Sequence, residues 1–243
     1  MSFRLGLLNP NTDRRHTEAM AGVAHATLPA GCDVVAVTAA RGPTSIESQA
    51  DAAVAVGEVA AMVLAHPGLE GYLIACFEDP GLDAARELCT APVVGIGEAA
   101  FTAACMVAGR FAVITTLRRG IPALEDTIAH RGIGRRCVGV LALDIPVAEQ
   151  GADHPDTTAA IVAAARRAVD ERSAEALILA CGGMADVARA VQAAAGVPVC
   201  DGVGFGAMLA YGLWRTGIST SKTGTYALPE PIPYTAMPSP TGT

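Results

Sequence analysis

Leu73-Ile74-Ala75-Cys76 and Ile178-Leu179-Ala180-Cys181 are one pattern written twice, an apolar run closing on a cysteine, at an offset of 105 (181 − 76). The match extends outward in both directions. Arg4-Leu5-Gly6-Leu7-Leu8-Asn9 lies against Arg110-Phe111-Ala112-Val113-Ile114-Thr115 at an offset of 106 (110 − 4), and Ala91-Pro92-Val93-Val94 against Val197-Pro198-Val199-Cys200 at 106 (197 − 91). Short β-rich runs alternate with longer alanine-rich stretches of helical period, the pattern of parallel sheets joined by crossover helices. Strands are predicted near 3–9, 33–38, 71–76, 92–96, 110–116, 137–143, 175–181 and 197–201. Helices are predicted near 13–28, 47–65, 81–90, 98–108, 119–131, 156–172, 184–195 and 204–216. Any two α/β halves share some rhythm and some Ala/Val identity, but a cysteine at the same strand end in each half argues for duplication. The expected fold is therefore α/β: two pseudo-symmetric parallel-sheet βα domains, with an active site in the cleft between them. The first domain is expected over 1–97, with 206–243 packing back on it, and the second over 98–205. The proline-rich tail from Gly217 lacks periodicity and is expected to wrap over the surface.

At 243 residues, 51% hydrophobic and 17% charged, the chain can bury a sizeable core. No run of about 18 apolar residues offers a membrane span. The first eight residues are too short an apolar stretch for a signal-peptide core, so a cytoplasmic protein is expected. A net charge of −7 without a Lys/Arg-rich segment argues against nucleic acid and for a small-molecule partner. Seven cysteines, never spaced Cys-x-x-Cys, suit reduced thiols better than disulfides or zinc. The five histidines stand alone, so no metal site is expected.

In open α/β sheets ligands bind beyond the carboxyl ends of the strands, which is where Cys76 and Cys181 fall. Buried cysteine is commonly an inert small hydrophobe, and Cys32, Cys89, Cys105, Cys137 and Cys200 are read that way. Asp79 reads as the N-cap of the helix after Cys76, with Pro80 as its first residue. After Cys181, Gly182-Gly183 leaves backbone N–H groups open before a helix near Met184. Such helix starts are expected to lower both thiol pKa values and to stabilise a nearby anion, while Glu78 and Asp79 pull against this if they approach Cys76. Two thiols on opposite sides of a cleft suit inversion of a carbon acid, one removing a proton as the other supplies one. The turns Asn9-Pro10-Asn11-Thr12 and Thr115-Thr116-Leu117 offer polar groups at two further strand ends. Thr12 followed by Asp13 reads as an N-cap, and Asn11 and Thr116 read equally well as turn formers or ligand contacts. Gly202-Val203-Gly204-Phe205-Gly206 follows the last strand rather than the first, so helix packing explains it better than dinucleotide binding.

Together with Gly42-Pro43-Thr44-Ser45-Ile46-Glu47-Ser48, Cys76-Phe77-Glu78-Asp79-Pro80-Gly81-Leu82-Asp83 and Cys181-Gly182-Gly183-Met184, these residues resemble the hydantoin and allantoin racemases of the aspartate/glutamate racemase superfamily. The matching pieces run in order along the chain from Asn9 to Met184. The resemblance implies cofactor-independent racemisation, a homo-oligomer (tetramer or hexamer), and Cys76 and Cys181 as the acid/base pair. It also implies substrate contacts at Asn11, Ser45, Thr116, Gly182 and Gly183, and Thr115 falls beside them. Amino-acid racemases of the superfamily tend to follow each cysteine with Asn-Thr or similar polar residues. Here Phe77 and Gly182 stand in those places, as for a neutral ring. Phe77 and Ile46 would give apolar contact to a 5-substituent, favouring a 5-substituted hydantoin over the polar ureido group of allantoin. Arylmalonate decarboxylases keep only one of the two cysteines and fit less well. A reading from another class is a two-lobed binding protein that closes on a small ligand without chemistry.

Overall fold

A computed structural model describes residues 2–230. The first half runs β1 (Arg4–Asn9), α1 (Arg14–Thr27), β2 (Asp33–Thr38), α2 (Gln49–Ala65), β3 (Gly71–Ile74), α3 (Leu82–Leu88), β4 (Val93–Gly95) and α4 (Ile96–Val107). The second runs β5 (Phe111–Thr115), α5 (Ile121–His130), β6 (Cys137–Ala142), α6 (Pro155–Arg172), β7 (Ala176–Leu179), α7 (Ala188–Ala195), β8 (Val199–Cys200) and α8 (Gly202–Arg215). The two sheets have orders β2-β1-β3-β4 and β6-β5-β7-β8, every pairing parallel, so β5 repeats the place of β1 and β7 that of β3. The expected two-sheet α/β architecture is what the chain adopts.

Alternate residues of each sheet serve opposite cores, because side chains of a strand point to both faces in turn. Leu5, Leu7 and Leu73 pack with Met20 and Ala24 of α1 and Val203, Ala207 and Ala210 of α8. Leu8, Tyr72 and Ile74 pack on the other side against Val59, Met62 and Val63 of α2 and Leu82 and Ala85 of α3. In the second sheet Ala112, Ile114, Leu177 and Leu179 meet α6 and α7, while Phe111, Val113 and Ile178 meet Leu124 and Ile128 of α5 and Phe101 and Ala104 of α4. Helix α4 thus joins both sheets, with Ile96 and Ala99 in the first core and Ala100, Phe101 and Ala104 beside the second. Helix α8 leaves the second sheet and lies on the first. Gly202 allows that crossing, because a Cβ there would collide with the backbone carbonyl of Ile96.

Three local expectations are corrected. Asp79 does not cap α3: it adopts φ 50°, Gly81 is the left-handed N-cap of α3, and Pro80 lies outside the helix. The Asp79 carboxylate reaches instead to the N-terminus of α4, accepting the N–H of Gly97 at 2.8 Å and of Glu98 at 2.7 Å. The segment from Gly182 to Val187 is a 3-10 turn, and α7 starts only at Ala188. The N-cap of α1 is Asp13, accepting from Arg15 N, whereas Thr12 bonds to Pro43 O.

From Gly217 onward the chain crosses α3. Thr220 bonds to Ala91 O at 2.7 Å, Lys222 Nζ donates to the carbonyls of Arg86 and Glu87 at the end of α3, and Tyr226 donates to Asp83 at 2.9 Å. The surface wrap expected of this tail is seen to residue 230, and 231–243 lie outside the described residues. No helix among the described residues is long and apolar enough to cross a membrane.

Candidate active site

The strand ladders carry one residue past each apolar run before the cysteines begin. Ala75 N–H donates to Leu8 O and Ala180 N–H to Ile114 O, each at 2.8 Å, so Cys76 and Cys181 are the first residues released from their sheets at equivalent points. Both line one cavity of about 80 Å³. Its wall also includes Asn11, Ile46, Phe77, Thr115, Thr116, Gly182 and Gly183 from the predicted set. Ser45 is not on that wall; its hydroxyl donates to Glu47 Oε1 at 3.0 Å, and Glu47 is on the wall.

Residues that sequence reading did not single out complete the enclosure: His16, Met20, Glu47, Leu117, Gly120, Leu124 and Val147. His16 and Met20 stand one turn apart on the buried face of α1. A histidine on an otherwise core-facing stripe was the available signal for the first of them. Val147 carried none, because it arrives from the loop after β6 across the cleft. Its N–H donates to Glu47 Oε1 at 3.1 Å, joining the two halves over the cavity. Arg15 makes a second tie, with Nη1 2.8 Å from Asp153 Oδ2 and Nη2 donating to Ala148 O.

The polar turn after β1 is internally satisfied. Asn9 Nδ2 donates to Asn11 Oδ1 at 2.8 Å and to Thr17 Oγ1 at 2.9 Å, and Asp13 N–H also donates to Asn11 Oδ1 at 3.0 Å. The Asn11 carbonyl therefore shapes the turn, while its Nδ2 bonds to no protein acceptor among the described residues. After Cys181 the cavity wall closes in on the backbone, and a Cβ on Gly182 would meet Met20 Sδ.

The expected lowering of the thiol pKa values is overturned. Burial pushes the Cys76 thiol well above its usual range, with the Glu78 N–H pulling down and the Glu78 carboxylate, Cys181 and Asp79 pushing further up. Burial pushes Cys181 up to about 11, opposed by the N–H groups of Gly183 and Met184 and reinforced by the Glu47 carboxylate. Desolvation of a thiolate outweighs one or two backbone donors, and neither cysteine starts a regular α-helix whose dipole would help. Burial likewise holds His16 below the usual imidazole range despite Asp13 Oδ2 at 3.2 Å from its Nδ1. The wall carries Glu47 and Glu78 and no Lys or Arg. Among the described residues no group of three or more His, Cys, Asp or Glu is placed to hold a metal ion.

A family model for Asp/Glu/hydantoin racemases matches residues 5–210. The chain is 39% identical over 230 residues to a hydantoin racemase of Rhizobium meliloti, covering 94% of this chain and 95% of that protein. It is 35% identical over 234 residues to a hydantoin racemase of Pseudomonas sp. (strain NS671), covering 96% and 94%. The solved allantoin racemase from Klebsiella pneumoniae superposes with a TM-score of 0.92 at 36% identity, over 97% of each chain.

Proposed function

This chain belongs to the Asp/Glu/hydantoin racemase family and is an isomerase, and on that premise we propose that it racemises 5-substituted hydantoins by two-base proton transfer between Cys76 and Cys181. One thiolate takes the proton from C5, and the C–H electron pair moves into the ring carbonyl to give an enolate. The opposing thiol then gives its proton to the other face of C5, and the carbonyl re-forms. The pair ends with thiol and thiolate exchanged, so no proton is gained or lost and no cofactor is called for. The observation that carries this reading is that the two cysteines leave equivalent strand ends of the two sheets and line the same cavity.

The character of the wall supports a neutral ring over a free amino acid. A substrate carboxylate would meet Glu47 and Glu78 with no lining Lys or Arg to hold it, whereas an uncharged ureide ring meets no such repulsion. Phe77, Ile46, Met20, Leu124 and Val147 give an apolar side to the cavity, which favours a hydrophobic 5-substituent. Of the predicted contacts, Asn11, Thr115, Thr116, Gly182 and Gly183 remain our assignments for substrate binding; Ser45 we place one contact back, behind Glu47. We further expect a homo-oligomer, so that sizing should show a species well above 24.6 kDa.

Polarimetry of an L-5-alkylhydantoin, allantoin and free amino acids tests the substrate class. Loss of rotation is expected for the hydantoin first, and faster turnover of allantoin or of an amino acid would overturn the choice. The mechanism is tested in heavy water. Cys76→Ala and Cys181→Ala should each lose racemisation by about 10²- to 10⁴-fold. Each should still exchange deuterium at C5 of one enantiomer, the two variants favouring opposite hands. A single variant that racemises at near the full rate would defeat the two-base reading.

A further inference from the structure

Glu47 is the one carboxylate of the cavity wall whose orientation is set by the protein. Its Oε1 accepts from Ser45 Oγ at 3.0 Å and from the Val147 N–H at 3.1 Å, one donor from each side of the cleft. Its Oε2 accepts nothing from the described residues, so one oxygen of an anchored carboxylate on the cavity wall is left to a ligand. Glu78, the other carboxylate there, makes no side-chain hydrogen bond among the described residues and is exposed. Glu47 and Cys181 line the same cavity, and the Glu47 charge opposes thiolate formation at Cys181. A cyclic ureide carries two N–H donors. N1 is bonded to C5, the carbon that Cys181 must approach, while N3 lies across the ring between the two carbonyls. An acceptor on the cavity wall that also carries Cys181 can serve the N1–H, the donor next to the reacting carbon.

We propose that Glu47 is a specificity-determining residue that accepts the N1–H of the substrate ring through Oε2 and orients C5 against Cys181. The assignment rests on the hydantoin reading above. It gives the acidic wall a positive use besides the rejection of carboxylates. An anchored, half-buried carboxylate whose free oxygen faces the ligand is left without a donor, so a ring methylated at N1 should be refused more strongly than hydrogen-bond loss in water would suggest.

The experiment compares racemisation of a 5-alkylhydantoin with its N1-methyl and N3-methyl derivatives by the unsubstituted enzyme and by Glu47→Gln, Glu47→Ala and Ser45→Ala. A charge-assisted hydrogen bond predicts an N1-methyl penalty in kcat/KM of about 10- to 100-fold in the unsubstituted enzyme, with a much smaller N3-methyl penalty. In Glu47→Ala the parent substrate should slow by a similar factor and the N1-methyl penalty should collapse to a few-fold. Glu47→Gln should fall between, and Ser45→Ala, which keeps the carboxylate and its Val147 donor, should retain the penalty. A measurement that needs no turnover accompanies this. Alkylation of Cys181 by iodoacetamide near pH 8 should quicken in Glu47→Gln, as the neighbouring charge is gone. An N1-methyl penalty unchanged in both Glu47 variants, or Cys181 labelling unchanged in Glu47→Gln, would overturn the proposal. An unsubstituted enzyme that turns over no hydantoin would instead overturn the reading on which it rests.

Discussion

The two thiols are alike in sequence context but not in surroundings, and both are neutral at pH 7 because burial dominates their titration. Two-base catalysis needs one of them ionised, and below its pKa the thiolate fraction grows tenfold per pH unit. The rate should therefore climb by close to tenfold per unit between pH 7 and 9, after subtraction of spontaneous racemisation. A flat profile over that range would show that a thiolate is already in place. Stability should move the other way. An acid whose folded pKa is raised keeps its proton in the native state where the unfolded chain has lost it. Stability is then fully present below the ordinary thiol pKa of about 8.5 and declines as pH rises towards the 11 of Cys181. Tm measured from pH 8 to 10.5 should fall, and should fall less in Cys181→Ala.

The loop between β3 and α3 carries Cys76, and its geometry depends on an element distant in sequence. Asp79 turns through a left-handed conformation to cap α4, with Nη2 of Arg131, the residue just past α5, 3.5 Å from its Oδ2. Burial pushes its carboxyl up to about 7, against the pull of the Gly97 and Glu98 N–H groups and of Arg131. Replacing it removes the acceptors of two N–H groups in the first turn of α4 and takes away the carboxylate facing Arg131. Asp79→Ala should lower stability by about 1–3 kcal/mol, which for a chain of this size is about 2–12 °C in Tm. Turnover should fall further than stability does, because the same side chain fixes the path of Cys76; Asp79→Asn, which keeps one acceptor, should be milder. Equal activity per folded molecule in Asp79→Ala would show that the loop holds its shape without the cap.

On the scale of the whole molecule we retain the division into 1–97 with the segment from 206, and 98–205, as a proposal. Those boundaries cut α4 after Gly97 and α8 after Phe205; α4 packs into both cores, and α8 leaves the second sheet to pack on the first against α4. Halves that share two helices are expected to unfold together. Trp214, the single tryptophan, sits on α8 with its ring 5.2 Å from Phe3 and 5.9 Å from Tyr211, so its fluorescence reports the seat of α8 on the first sheet. Circular dichroism reports helices of both halves. In urea the two signals should give one coincident transition, and separated midpoints would show that the halves unfold independently.

What the sequence determined by itself follows from patterns a chain carries within short windows or in comparison with itself. Periodicity placed the strands and helices, and the offsets of 105 and 106 set Cys76 and Cys181 at equivalent strand ends before any distance was known. Asn11, Thr115, Thr116, Gly182 and Gly183 were legible for the same reason, since residues just past strand ends of a parallel sheet must gather on one side. Tertiary structure alone decided the rest. Glu47 meets Val147 over a separation of 100 residues, Asp79 caps a helix 18 residues on, and His16 turns into the wall beside Gly183. None of these pairings leaves a local trace: those of Glu47 and His16 depend on how the two sheets are set against one another, and that of Asp79 on two neighbouring strand ends of the first sheet being brought together. The direction of the thiol shifts was misread for that reason. A helix start can be guessed from Gly-Gly or Asp-Pro, but the desolvation that outweighs it is the sum of every group that closes the cavity.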